Sequence, residues 1–98
     1  MREIIQSETF VRWRLALKDR QAIARVNARI RRLAEGNPGD FKPVREGISE
    51  LRIDHGPGYR VYFVQHGPLV IVLLAGGDKR TQDADIERAI AIAKQWKA

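Results

Sequence analysis

The chain has 98 residues, no cysteine and a formal net charge of +6 at pH 7. A chain of this length builds one core, so we expect a single domain over residues 1–98 with little room for a buried cofactor cavity. The lack of cysteine excludes disulfides, thiolate zinc sites and a cysteine nucleophile. The excess of arginine and lysine favours a polyanionic partner such as nucleic acid.

The first third of the chain predicts a short strand followed by a helical hairpin. Residues 2–6 are expected to form the strand. Ser7 or Thr9 would cap a first helix, and a second helix would begin at Asp19 and end at Gly36. The apolar residues recur at helical spacing: Phe10, Trp13 and Leu17 in the first helix, and Ile23, Val26, Ile30 and Leu33 in the second. A short turn separates the helices, so they should pack antiparallel.

The remaining chain predicts three strands and a last helix. Residues 37–47 read as a turn and an irregular stretch, followed by strands at 48–54, 59–65 and 69–75 that short turns join into an antiparallel meander. The last strand is apolar throughout, so either the last helix, which should begin near Thr81, or a partner protein must cover its second face. The apolar stripe of that helix is Ile86, Ala89, Ile90, Ala93 and Trp96 or Lys97.

The predicted order is therefore β-α-α-β-β-β-α. This is an α+β fold in which the N-terminal helical hairpin lies on one face of an antiparallel-meander sheet and a C-terminal helix completes the domain. Neither a signal peptide nor a membrane-spanning run is predicted, so we expect a cytoplasmic protein without a membrane partner.

Two arginines are predicted to share the sheet face that the hairpin leaves open. Side chains alternate along a strand, so Arg60 points away from the core residue Val61, and Arg52 on the neighbouring strand can lie beside it. Such a pair could bind a phosphate and stabilise the charge of a transition state. Alternatively, Arg52 pairs with Glu50 or Asp54 across the sheet edge.

A second basic pair, Lys79 and Arg80, follows two glycines between the last strand and the last helix. Backbone N–H groups at such a junction suit anions, although the spacing matches neither a Walker loop nor a dinucleotide fingerprint. The alternative is a solvated turn in which Asp78 or Thr81 caps the helix.

The two histidines predict no metal site. His55 and His66 lie in separate turns without a carboxylate at metal-ligand spacing, so neither a metal nor another cofactor is expected. His55 follows the strand of Arg52 and could carry a proton if it faces the sheet.

The helical hairpin carries a broad set of basic side chains outside its apolar stripe. They are candidates for salt-dependent contact with a nucleic-acid backbone, or they form an ordinary solvated helix surface. The candidates are Arg12, Arg14, Lys18, Arg25, Arg29 and Arg32.

Three segments together carry a family resemblance. They are Glu50-Leu51-Arg52, Gly58-Tyr59-Arg60-Val61-Tyr62-Phe63, and Gly76-Gly77-Asp78-Lys79 with Gln82, Asp85 and Ile86. With these motifs and its predicted element order, the chain resembles the RelE/ParE superfamily of toxins from type II toxin–antitoxin modules. Within that superfamily it is most similar to the addiction-module killer proteins related to HigB.

The resemblance implies a toxin that a cognate antitoxin, commonly a helix-turn-helix protein, holds inactive in a hetero-oligomer. Many such toxins cleave mRNA on the ribosome without a metal. Others poison DNA gyrase and have no catalytic site of their own, and a non-toxic relative would only bind antitoxin or RNA. The chain has Ile48 and Glu50 where the best-known ribonucleases of the superfamily carry lysines, which keeps these alternatives open.

For mRNA cleavage, the resemblance and the predicted clustering assign three roles. Arg60 and Arg52 would bind the scissile phosphate, and Lys79 or Arg80 would stabilise the leaving group. The candidates for the proton carrier are Asp85, Asp83 and His55.

Overall fold

Five strands form one mixed sheet with helices on both faces. The computed structural model describes residues 1–96, and Lys97 of the predicted stripe lies outside them. The elements are β1 (Glu3–Gln6), α1 (Glu8–Ala16), α2 (Arg20–Ala34), β2 (Phe41–Pro43), β3 (Ser49–Ile53), β4 (Tyr59–His66), β5 (Val70–Asp78), a 3-10 turn (Lys79–Thr81) and α3 (Gln82–Gln95). None of the described helices is both long enough and apolar enough to cross a bilayer.

Side-chain caps set the starts of the first two helices. Ser7, not Thr9, caps α1, because its hydroxyl accepts from the Phe10 N–H at 3.0 Å while it donates to the Leu74 carbonyl at 2.7 Å. The Asp19 carboxylate accepts from two N–H groups in the first turn of α2. Each cap satisfies donors that have no partner inside the helix, so the two predicted helices are confirmed.

The sheet differs from the predicted meander in two ways. Its strand order is β1-β5-β4-β3-β2, and β1 pairs with β5 in parallel, which makes the sheet mixed. β2 was missed, because Phe41–Pro43 is short, ends in proline and is exposed at every position. Only its antiparallel pairing with β3, which puts Phe41 opposite Leu51, makes it a strand. The observed order is β-α-α-β-β-β-β-α.

Two apolar clusters lie on opposite faces of the sheet. The hairpin-side cluster contains Phe10, Val26, Leu33, Leu51, Ile53, Val61, Phe63, Ile71 and Leu73. The α3-side cluster contains Ile48, Tyr62, Val72, Leu74, Ala75, Ile86, Ala89 and Ile90. The chain's own last helix therefore covers the second face of β5, and this face needs no partner protein.

One glycine near the end of β5 allows α1 to approach the sheet closely. A Cβ built on Gly76 would overlap the indole ring of Trp13, which lies directly against the strand. The φ angle of Gly76 is not in the left-handed region. The requirement for glycine at this position is therefore steric.

We predict that Gly76→Ala destabilises the protein by roughly 1–3 kcal/mol, the usual cost of overpacking a close contact. Without the overlap, the same change would be neutral or slightly stabilising, because alanine restricts the unfolded chain. Urea unfolding should show that the cost shrinks in a Trp13→Leu background. An equal cost in both backgrounds would contradict the steric explanation.

Candidate functional site

A basic cleft of about 390 Å³ opens at one end of the sheet. Its lining residues are Asp40, Arg52, Asp54, Gly58, Arg60 and Lys79. The three cations come from β3, from β4 and from the turn after β5, whereas Asp40 precedes β2 and Asp54 follows β3. Three cations and two carboxylates give the lining a formal charge of +1.

The register of the sheet brings the two predicted arginines together. Arg52 and Arg60 are directly paired on β3 and β4, and Gly77 of β5 lies opposite Arg60. Lys79 follows two residues later, and its side chain runs along Gly58, where an added Cβ would lie 2.8 Å from Lys79 Cε. The structure therefore brings Arg52, Arg60 and Lys79 to one cleft, while the roles assigned to them stay predictions.

Arg60 is less accessible than the sequence suggested. It is only 8% exposed, its Nη1 donates to the Tyr59 carbonyl at 3.1 Å, and its Nε lies 3.6 Å from Glu50 Oε1. The expectation of a freely exposed Arg60 is wrong for two reasons: α3 covers this face, and Glu50 alternates onto it as well. Arg60 reaches the cleft as a buried, paired cation.

Glu50 is the centre of this buried arrangement. It is 1% exposed, and its second oxygen, Oε2, accepts a hydrogen bond from Gln82 Nε2 of α3 at 2.7 Å. The neighbouring Tyr62 is fully buried on the same face. Burial, together with the negative charges of Glu50 and Asp85, raises the pKa of the Tyr62 phenol. Tyr62 therefore stays protonated at neutral pH and is a poor candidate for a base.

Asp85 lies between α3 and the sheet, outside the cleft lining. Its Oδ2 accepts from the Thr81 hydroxyl at 2.6 Å, and its Oδ1 is 3.6 Å from Arg88 Nη1. A Cβ on Gly77 would overlap this carboxylate. Asp85 therefore lies buried at the junction between β5 and α3, and the lack of a side chain at Gly77 leaves room for its carboxylate.

Arg52 pairs with neither of the partners considered for it. Its Nε lies 3.3 Å from Asp40 Oδ1, in a pair whose side chains are 40% and 56% exposed. Exposed pairs of this kind contribute about 0–1 kcal/mol, so an incoming phosphate can replace Asp40. The guanidinium of Arg52 is therefore available in the cleft.

Arg29 fixes the wall of the cleft. Its guanidinium donates to the carbonyls of Arg52, Pro38 and Asp40 at 2.7, 2.9 and 2.8 Å. Burial, followed by the charge of Arg32, lowers the pKa of Arg29. Arg29 was predicted to contact nucleic acid. In the structure it holds the loop before β2 against β3.

Arg80 diverges from Lys79 and does not line the cleft. The Asp78 carboxylate accepts from the Arg80 N–H at 2.8 Å and pairs with Arg80 Nη2 at 2.9 Å. These hydrogen bonds lower the pKa of Asp78 and raise that of Arg80. The alternative of a capped, solvated turn therefore describes Arg80, while Lys79 belongs to the cleft.

None of the three proposed proton carriers lines the cleft. His55 Nε2 is 2.9 Å from Asp19 Oδ2, and the His55 ring stacks on Tyr59 on the hairpin side. The hydrogen bond with His55 lowers the pKa of Asp19. Asp83 is exposed in the first turn of α3, and Asp85 is buried behind the cleft.

The carboxylates that do line the cleft are Asp40 and Asp54. Sequence reasoning did not consider either as a proton carrier. Side chains alternate along a strand, so Asp54, two residues after Arg52, is expected on the same face as Arg52. The sequence therefore contained a signal for Asp54. Asp40 could not be placed, because its position depends on β2.

The remaining hairpin candidates divide into two groups. Arg12 pairs with Glu8 at 3.1 Å, and Arg14 lies 6.0 Å from the Phe10 ring centre and donates to Asn27. The other candidates are exposed and form no ion pair within the part of the chain that the structure describes: Lys18, Arg25 and Arg32. The role of these side chains in nucleic-acid binding stays a prediction.

Comparison with known proteins identifies the family. The phage derived protein Gp49-like family (DUF891) matches residues 14–97. The chain belongs to this family. An uncharacterized protein of Haemophilus influenzae (strain Rd) is 52% identical over 87 residues, which span 89% of this chain and 88% of the relative.

We predict that Glu50→Gln destabilises the protein by about 3 kcal/mol, because it leaves Arg60 buried without a carboxylate. The change keeps the side-chain volume and a hydrogen-bonding partner for Gln82. Chemical denaturation of both proteins measures the difference. The control is Glu87→Gln, which breaks the exposed Arg45–Glu87 pair and should cost less than about 1 kcal/mol. Equal costs for the two variants would contradict the importance of the buried pair.

Proposed function

We propose that this protein is the toxin of a type II toxin–antitoxin module and that it inhibits translation by cleaving ribosome-bound mRNA at the basic cleft. The toxin class is supported by membership of the Gp49-like family, a phage-derived, toxin-like family compatible with such modules. The protein would act in the cytoplasm, and a cognate antitoxin, of the helix-turn-helix type in our proposal, would hold it inactive in a hetero-oligomer.

The observation that carries the RNA target is the convergence of Arg52, Arg60 and Lys79 around one cleft. Three cations from different segments can contact separate oxygens of one phosphate. Arg60 is fixed by Glu50, so it needs little reorganisation when charge develops. The weakly paired Arg52 can close on the substrate.

The proposed reaction is a transesterification within the RNA. The ribose 2′-oxygen attacks the adjacent phosphorus, its proton passes to the Asp54 carboxylate, and the bond from phosphorus to the 5′-oxygen breaks. Lys79 supplies the proton that the leaving oxygen takes up, so the products are a 2′,3′-cyclic phosphate and a 5′-hydroxyl. Asp54 suits the role of base because it lines the cleft and forms no ion pair within residues 1–96.

We predict that Arg52→Gln and Lys79→Gln each slow mRNA cleavage by about 10²-fold or more, because each removes a charge that stabilises the transition state. Primer extension on cellular mRNA after induction measures the cleavage, and growth measures the toxicity. Arg31→Gln, on the exposed surface of α2, is the control and should cleave normally.

A third variant separates chemistry from binding. Asp54→Asn should bind RNA but cleave it at least about 10²-fold more slowly. Normal cleavage by folded Arg52→Gln and Lys79→Gln proteins would overturn the assignment of the cleft. Double-strand DNA breaks without codon-phased cuts in mRNA would overturn the RNA target and leave only the toxin class.

A further inference from the structure

A second groove, of about 370 Å³, lies between α1 and α3 beside the end of β5. We call it the indole groove, and its lining residues are Thr9, Arg12, Trp13, Gly76 and Arg88. It shares no lining residue with the basic cleft. Gly76 of the groove is three residues before Lys79 of the cleft, so their backbones lie at most about 10 Å apart.

Trp13 gives this groove a rigid aromatic wall. The indole lies against the backbone at Gly76, and its ring centre is 5.7 Å from that of Phe10 and 6.3 Å from that of Tyr59. It is nevertheless only partly buried and lines the groove. A fixed, partly exposed aromatic ring can contact a nucleobase without sequence preference.

Two arginines from different helices lie beside the indole. Arg12 of α1 pairs with Glu8 at 3.1 Å, and Arg88 of α3 lies 3.6 Å from Asp85. Arg12, Glu8 and Arg88 are exposed, and pairs with such exposure are weak. A phosphate can therefore replace Glu8 at Arg12. At Arg88 it can bind the exposed guanidinium without displacing the buried Asp85, which lies 3.6 Å away. The planar guanidinium binds phosphate through two parallel hydrogen bonds.

We propose that the indole groove binds one nucleotide of single-stranded RNA, with its base against Trp13 and its flanking phosphates on Arg12 and Arg88. The identity of the RNA rests on the proposed function, because the groove would hold a nucleotide of the strand that enters the cleft. An acidic peptide would satisfy the two arginines but leave the indole without a partner, so the combination favours a nucleotide.

The test uses the fluorescence of Trp13. The chain has two tryptophans, so a Trp96→Phe background leaves Trp13 as the one reporter while an aromatic ring remains beside His66. The probe is a six-nucleotide 2′-O-methyl oligoadenylate, which lacks the attacking hydroxyl. Titration at several salt concentrations should change the Trp13 emission with a saturable, salt-dependent affinity.

In this background, Arg12→Gln/Arg88→Gln should weaken binding by roughly tenfold or more. It should also reduce the slope of log affinity against log salt by about 1.4, for two lost single-strand phosphate contacts. The matched control, Arg20→Gln/Arg31→Gln, removes the same charge from the exposed surface of α2 and should leave the Trp13 response largely unchanged.

Three results would overturn the inference: no change in Trp13 emission on RNA binding, an unchanged affinity in Arg12→Gln/Arg88→Gln, or an equal response to a polyglutamate peptide. The assay measures binding without cleavage. Normal cleavage by the Arg52 and Lys79 variants would therefore remove the proposed function without affecting this readout.

Discussion

The buried ion pair between Glu50 and Arg60 is the interaction on which the site depends. Removing two charges from water costs several kcal/mol for each ion, and their attraction repays this only when further hydrogen bonds satisfy them. Here Gln82 donates to Glu50 and Arg60 Nη1 donates to the Tyr59 carbonyl. Arg60 Nε faces Glu50 Oε1 at 3.6 Å without a hydrogen bond within the described chain. The pair therefore joins β3, β4 and α3, and it explains how a cation is held beneath the helix and still borders the cleft.

The three cations of the cleft are held in different ways. Arg60 is positioned in advance, Arg52 is held only by an exposed pair with Asp40, and Lys79 forms no ion pair within the described chain. The lining carries a net charge of only +1, so precise placement of donors would matter more for the proposed cleavage than the strength of the local field. The net charge of +6 on the whole chain would instead speed the encounter with RNA.

Much of this structure follows from local sequence signals. Strong caps and apolar stripes define the hairpin, and strand alternation brings Arg52 and Arg60 together. β2 could not be predicted, because Phe41–Pro43 is a strand only through its pairing with β3. Arg60 is buried because α3 covers this face, and Gln82 of α3 contacts Glu50 from 32 residues away. Tertiary contacts of this kind leave no periodic signal in the sequence.

His55 is a second residue whose tertiary partner could not be predicted from the sequence. Its place beside the strand of Arg52 suggested a role in the cleft, but Asp19 binds it from 36 residues away. A free turn histidine and one bound to a helix cap look alike in sequence. Family membership does not remove this limit, because a family match identifies the fold and the class of protein rather than the partner of each side chain.

The most direct test of this account is the Nε–H resonance of Arg60 in protein labelled with ¹⁵N-arginine. Because Glu50 and α3 enclose this group, we predict a resolved signal that exchanges slowly with water, exchanges quickly in Glu50→Gln, and shifts when a 2′-O-methyl RNA is added. An Arg60 signal that exchanges as fast as that of exposed Arg31, or that does not respond to RNA, would contradict the claim that a buried pair presents Arg60 to the proposed RNA substrate.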